Sequence, residues 1–279
     1  MDNLPSLTDV VKDYDLGANK KLGQHFLLDM NLTDKIARLA TPLEDVNVVE
    51  IGPGPGGLTR ALLLRETASV TVIEMDERFL PALADIGRAS GDRLSIIKGD
   101  ALKFDIATNV PAPRKIVANL PYNVGTKMLI NWVTETPRFW DQMVLMFQKE
   151  VAERVCAAPG ESAYGRLAVL CQSVAECHMA FDIPARAFTP PPKVDSAVVV
   201  MHPLPEKKCY PNLKLLGQVT QAAFGQRRKM LRGSLKSFAK KHGMTATEWL
   251  EKAGIDPQLR PETLPVEAFQ KLADCLPQK

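Results

Sequence analysis

The run KIVANLPYN ends in Asn119-Leu120-Pro121-Tyr122, which puts an amide, a backbone carbonyl, a rigid turn and an aromatic ring directly after the apolar residues Ile116, Val117 and Ala118. Alkylation of a flat arylamine needs these groups. The exocyclic amine of a nucleobase is a poor nucleophile because its lone pair is delocalised into the ring. A catalyst must therefore offer acceptors for its two N–H bonds and a surface for the base. The Asn119 side-chain oxygen and the Leu120 carbonyl can be those acceptors, and Tyr122 can stack on the ring. Pro121 fixes its own φ and disfavours the α region for Leu120, which keeps that carbonyl outside any helix. The same four residues also make an ordinary strand end running into a proline turn. What favours the chemical reading is the sequence upstream.

Three strands must deliver partners to the same place. The segment NKKLGQHFLLD (19–29) precedes the first regular element, a helix expected at about 31–40. The strand VNVVEI (46–51) runs into G-P-G-P-G-G, in which Gly52, Gly54 and Gly57 have the G-x-G-x-x-G spacing that lets a ligand approach the backbone between a strand and a helix. The helix TRALLL follows, then the strand SVTVIE (69–74), which ends in Glu74, 22 residues after Gly52 and at the place where a carboxylate takes ribose hydroxyls. Up to this point NAD and S-adenosylmethionine (SAM) fit equally. The strand LSIIK (94–98) runs into Gly99-Asp100-Ala101, and Asp100 can accept from an adenine amino group. A dehydrogenase would need a catalytic His, Lys or Tyr with a substrate Arg downstream, and that constellation is missing. Each carboxylate alone also reads as a solvated strand end. Three successive strand ends offering cofactor groups, with N-L-P-Y on the fourth, are harder to read that way, because ligands of open α/β sheets bind at the carboxyl ends of the strands.

Beyond Tyr122 the pattern predicts a helix over about 124–135, a strand at 143–148, helical stretches in KEVAERVCA and GRLAVLCQSVA, and a final strand pair at 177–183 and 194–202. Between that pair, Ala187-Phe188-Thr189-Pro190-Pro191-Pro192-Lys193 reads as a stiff loop displaying Phe188 and Lys193. Phe188 could close over a base from the side opposite Tyr122, or plug the core. From Pro203 the composition shifts to a basic helical tail. GQRRKMLRGSLKSFAKKH (225–242) holds seven Lys/Arg and no acid. On one helix, Arg228, Arg232, Lys236 and Lys240 fall along one face and Leu231, Leu235 and Phe238 form an apolar stripe. A one-sign run without counter-charge suits contact with phosphates. Two short helices, at about 245–253 and 265–274, complete a small domain.

The net charge of +3 divides unevenly: residues 206–279 carry 14 Lys/Arg against 7 Asp/Glu, which leaves 21 against 25 for residues 1–205. The basic tail is expected to meet something acidic. Five cysteines without a C-x-x-C pair and four scattered histidines suggest neither a disulfide framework nor a metal site. No apolar run reaches the ~18 residues of a membrane span. The acidic N-terminus fits neither a secretory nor a mitochondrial leader, so a cytoplasmic protein is expected.

Taken together, KKLGQHFL, VEIGPGPGGLT, VIEMD, GDAL, VANLPYN, FQKEVAERV, YGRLAVL, AFTPPPKVDSAVV and FGQRRKMLR resemble the rRNA adenine N6-dimethyltransferase family, bacterial small-subunit type, from about Lys20 to Leu272. The resemblance implies a Rossmann-like, class I SAM-dependent α/β methyltransferase sheet (1–205) with a small C-terminal all-helical domain (206–279). It also implies transfer of two methyl groups to each of two adjacent adenosines in the 3′-terminal hairpin loop of 16S rRNA, in the immature 30S subunit. Carried over by position, the SAM contacts fall on His25, Leu27, Gly52, Glu74, Asp100 and Asn119, where the family often has Asn in place of His25. The base contacts fall on Asn119, Leu120, Tyr122 and Phe188. The RNA-binding residues are Lys193, Arg227, Arg228, Lys229, Arg232 and Lys236. No metal is implied, and a monomer is expected. A 23S rRNA adenine methyltransferase and a non-catalytic 30S assembly or RNA-binding factor are the alternatives.

Overall fold

In the computed structural model, which describes residues 4–19, 23–226 and 228–276, the chain forms two compact units: 1–152 with 178–202, and 153–177 with 203–279. Arg227, one of the expected RNA contacts, lies outside the described residues.

The first unit opens with α1 (Leu7–Asp13), a helix ahead of the expected first element. The local signal is only Leu7, Val10 and Val11. The helix holds because the Ser6 side chain caps it by accepting from Asp9 N and because Leu7 and Val10 are buried. A two-residue strand β1 (Phe26–Leu27) and α2 (Met30–Arg38) follow. Then come β2 (Asn47–Ile51), α3 (Gly57–Leu63), β3 (Ser69–Glu74), α4 (Leu80–Ala89), β4 (Leu94–Lys98), α5 (Ile106–Asn109), β5 (Arg114–Asn119), α6 (Gly125–Thr134) and β6 (Gln142–Gln148). The chain continues through α7 (Lys149–Cys156) and α8 (Arg166–Gln172) to β7 (Ala175–Ile183), β8 (Phe188–Thr189) and β9 (Ser196–Pro203). The seven-stranded sheet has the order β4-β3-β2-β5-β6-β9-β7. β2 pairs in parallel with β3 and β5, β3 with β4, and β5 with β6. β9 runs antiparallel to β6. The inner strands are apolar on both faces, with Val48, Val49, Val70, Val72, Ile116 and Val117 all at 0% exposure, as a parallel sheet covered by helices requires. Strand order reverses between β2 and β5, so a crevice opens beyond their carboxyl ends.

Gly57 packs α3 tightly at that crevice. A Cβ there would lie 2.8 Å from the Leu27 carbonyl oxygen, a backbone atom that can yield only if β1 moves. Gly57→Ala is expected to cost about 1–3 kcal/mol through overpacking and to weaken binding of a nucleoside ligand beside β1. Thermal denaturation and calorimetric titration of the variant check both effects.

The second unit includes Glu153–Cys177, so α8 packs on α9 (Leu213–Phe224) although the composition change falls only at Pro203. α10 (Leu231–Ser234), α11 (Lys236–Lys241), α12 (Ala246–Lys252) and α13 (Val266–Asp274) complete it. Its core holds Tyr164, Trp249 and Phe269, each at 0% exposure, and the Trp249 indole N–H donates to the Leu272 carbonyl at 2.8 Å. The expected continuous helix over 225–242 is broken. α9 ends at Phe224, and Met230 is extended (φ −62°, ψ 153°). Arg228 therefore precedes α10, and Arg228, Arg232, Lys236 and Lys240 do not share one helix face. All four are exposed, while Leu231 and Leu235 are fully buried, so the apolar stripe anchors a basic surface built from two short helices.

Candidate active site

The crevice between the tips of β2, β3, β4 and β5 is an open cleft lined by residues from all four strand ends. His25, Leu27, Gly52, Glu74, Asp100, Asn119 and Leu120 all line it. The sequence places these residues far apart, and the sheet brings them together.

The glycine loop is shaped by backbone geometry. Gly52 and Gly54 have φ of +64° and +54°, a region that L side chains disfavour. Glu74 ties this loop to β3: its carboxylate accepts from Gly54 N at 3.2 Å and from Asp76 N at 2.8 Å. Burial raises the Glu74 pKa above the ordinary carboxylate range, opposed by the backbone donors of Asp76 and Gly54. Asp100 is half-buried, and its Oδ1 accepts from Leu102 N at 2.9 Å, which fixes the carboxylate at the end of β4. A hydroxyl acceptor at the end of β3, an amine acceptor after β4 and a glycine loop after β2 fit the ribose and adenine of a nucleoside.

Asn119 closes the cleft at β5. Its Nδ2 donates to the His25 carbonyl at 3.2 Å. A carbonyl can only accept, so the atom against it is the nitrogen, and the oxygen Oδ1 is the end of the amide left to accept from a substrate. In the turn beyond it, Val124 N and Gly125 N both donate to the Pro121 carbonyl, at 3.1 and 2.8 Å. Tyr122 is half-buried, its hydroxyl is 2.5 Å from Ser196 Oγ, and burial raises its pKa. His25 stacks on Tyr122 and places Nδ1 2.8 Å from the Pro190 carbonyl.

The prolyl segment differs from the expected display loop. Phe188 is 2% exposed and Thr189 is exposed. β8 pairs with β1, Leu27 opposite Phe188 and Phe26 opposite Thr189. Pairing to β1 turns the Phe188 ring inward, where it joins Phe26, Leu27 and Val198 in the core. In this conformation the ring plugs the core, and Lys193 alone of the two displayed residues is exposed.

Glu50 is a cleft residue that sequence reasoning missed. It is 2% exposed, lines the cleft and accepts from Thr59 Oγ1 at 2.6 Å. Desolvation pushes its carboxyl up to about 8, against the Thr59 hydrogen bond and with a smaller contribution from Glu74. The signal was a carboxylate inside the apolar run VNVVEI. Among the described residues no group of three or more His, Cys, Asp or Glu could hold a metal ion, and no helix is long and apolar enough to cross a membrane.

A family model described as ribosomal RNA adenine dimethylase matches residues 16–278. Curated relatives include the ribosomal RNA small subunit methyltransferase A of Maricaulis maris, 53% identical over 98% of this chain and 95% of its own. That of Rhizobium meliloti is 54% identical over 99% of each. Among solved structures, a dimethyladenosine transferase from Plasmodium falciparum has a TM-score of 0.77 at 27% identity, covering 89% of this chain and 96% of its own. The 23S rRNA methyltransferase ErmE has a TM-score of 0.65 at 24% identity, covering 91% and 100%, a likeness of fold. With its glycine loop, its strand-tip carboxylates and Asn119-Leu120-Pro121 gathered at one crevice, this chain belongs to the ribosomal RNA adenine dimethylase family.

Proposed function

We propose that the protein transfers methyl groups from SAM to N6 of two adjacent adenosines in the 3′-terminal hairpin of 16S rRNA, two to each, during assembly of the small subunit in the cytoplasm. The observation that carries the reading is Asn119, a residue of the cleft lining whose amide nitrogen is held by the His25 carbonyl, which leaves the oxygen as the end able to accept. SAM supplies an already activated methyl on a sulfonium, so the protein's contribution is orientation. Glu74 takes the ribose hydroxyls and Asp100 the adenine amine. Asn119 Oδ1 and the Leu120 carbonyl accept from the target amine, which directs its lone pair toward the methyl carbon, while Tyr122 carries the base. As the N–C bond forms the C–S bond breaks, S-adenosylhomocysteine leaves as a neutral thioether and the proton displaced from N6 passes to solvent. After the first transfer one N–H remains for a second round. Phe188 becomes the second stacking ring only if β8 parts from β1. No metal enters the mechanism, and the enzyme acts as a monomer.

Incubation of labelled SAM with unmethylated small subunits, followed by mapping of the modified nucleoside, tests the assignment. N6,N6-dimethyladenosine at adjacent positions near the 3′ end is expected. Label only in large subunits would transfer the reading to 23S rRNA. A methylation-dead variant that restored growth would make binding the larger role.

The exposed residues Arg228, Lys229, Arg232 and Lys236, together with Lys193, are assigned to phosphate contacts. Arg232→Ala and Lys236→Ala are each expected to lower the slope of log affinity against log salt by roughly 0.7–0.9. Filter binding of small subunits across a salt series measures it, and an unchanged slope removes that residue from the interface.

A further inference from the structure

The Tyr122 ring is fixed at two points. Its hydroxyl lies 2.5 Å from Ser196 Oγ. Its face lies against the His25 imidazole, with centroids 5.6 Å apart and 28° between planes. His25 is held in turn by the Pro190 carbonyl on one side and by Asn119 on the other. Ser196 opens β9 opposite Gln148, the last residue of β6. It is fully buried, at 0% exposure, and is followed by Ala197, Val198, Val199 and Val200, all at 1% or less. An alanine would suit that apolar run better, because a buried hydroxyl is costly unless it is hydrogen-bonded. The bond it makes runs across the sheet to the phenol that ends the catalytic strand.

Rotation about the Cβ–Cγ bond of an aromatic side chain is only broadly restrained by local sterics. The phenol oxygen lies on that rotation axis, so its bond to Ser196 fixes where the axis points, while the His25 imidazole against the ring face limits rotation about it. We propose that Ser196 is a positioning residue for Tyr122, holding the ring axis while His25 backs the ring face, so that an adenine stacked on the ring brings its amine to Asn119 Oδ1 and the Leu120 carbonyl. The inference rests on the reading of N-L-P-Y as the base platform. Small errors in the angle of a bound reactant are expensive in rate, so a hydrogen bond remote from the reacting atoms controls turnover.

The test compares Ser196→Ala, Tyr122→Phe and the double variant in kcat and KM for unmethylated small subunits. It adds two readouts independent of turnover: the dissociation constant of S-adenosylhomocysteine by calorimetry, and NMR of a ring-labelled Tyr122. Tyr122→Phe removes the bond from the other end and keeps the ring, so the test survives if Ser196→Ala folds poorly. Each single variant is expected to lose about tenfold in kcat/KM, the value of one hydrogen bond. The double is expected to be no worse than the more affected single. S-adenosylhomocysteine affinity should stay near wild type, since neither side chain lines the cleft. The Tyr122 ring resonances should shift in Ser196→Ala. Wild-type kcat/KM in Ser196→Ala, losses that multiply in the double variant, or cofactor affinity falling in step with activity would each overturn the proposal. If the wild type methylates no small subunit, the platform reading falls. The ring resonances then decide the clasp alone, and their invariance in Ser196→Ala overturns it.

Discussion

Asn119→Ala is expected to reduce methyl transfer by roughly 10²–10³-fold or more, the scale seen when one preorganised polar contact to a reacting centre is deleted. The side chain has two tasks in the structure. Its nitrogen donates to the His25 carbonyl, tying β5 to the segment before β1, and in the proposed mechanism its oxygen accepts from the substrate amine. Alanine removes both. Loss of the first loosens one wall of the cleft, so binding of S-adenosylhomocysteine should weaken and remain measurable. Loss of the second removes an acceptor needed to localise the amine lone pair, so the chemical step should nearly vanish. Single-turnover transfer to small subunits and calorimetry of cofactor binding separate the two effects. Full activity in the variant would dismiss Asn119 from the chemistry.

Glu50→Gln is expected to stabilise the protein at alkaline pH and to leave it nearly unchanged in acid. The Glu50 carboxyl is raised from 4.5 to about 8 in the folded protein, chiefly by burial. Between these values the unfolded chain has ionised while the folded chain keeps its proton. Rising pH therefore draws the equilibrium toward the unfolded state across the window from 4.5 to about 8, after which the penalty is constant. The full difference corresponds to at most roughly 4–5 kcal/mol. Glutamine keeps the shape and an acceptor for Thr59 but does not titrate. Urea unfolding at about pH 5 and pH 8.5 measures the effect. A wild type–variant difference equal at both pH values would show that Glu50 ionises freely in the folded state.

Much of the first unit could be read along the chain because its strands are local patterns. VNVVEI, SVTVIE, LSIIK and KIVAN each fall on an observed strand, and Gly52, Gly54 and Gly57 lie where a strand turns into a helix. Elements held by distant contacts were not legible. α1 has too short an apolar pattern to announce itself, and β1 and β8 are two-residue strands that exist through pairing with each other. The extended break between α9 and α10 also runs against helical periodicity.

The sequence by itself determined which chemical groups stand at the strand ends, because glycine spacing, strand-end carboxylates and N-L-P-Y are identities at fixed positions after β-strands. Only the tertiary structure decided that Phe188 turns inward, that Glu50 is a desolvated acid and that Ser196 reaches Tyr122. Each of these depends on what packs against the residue from a strand far away in the chain, and burial, desolvation and cross-sheet hydrogen bonds are properties of that packing.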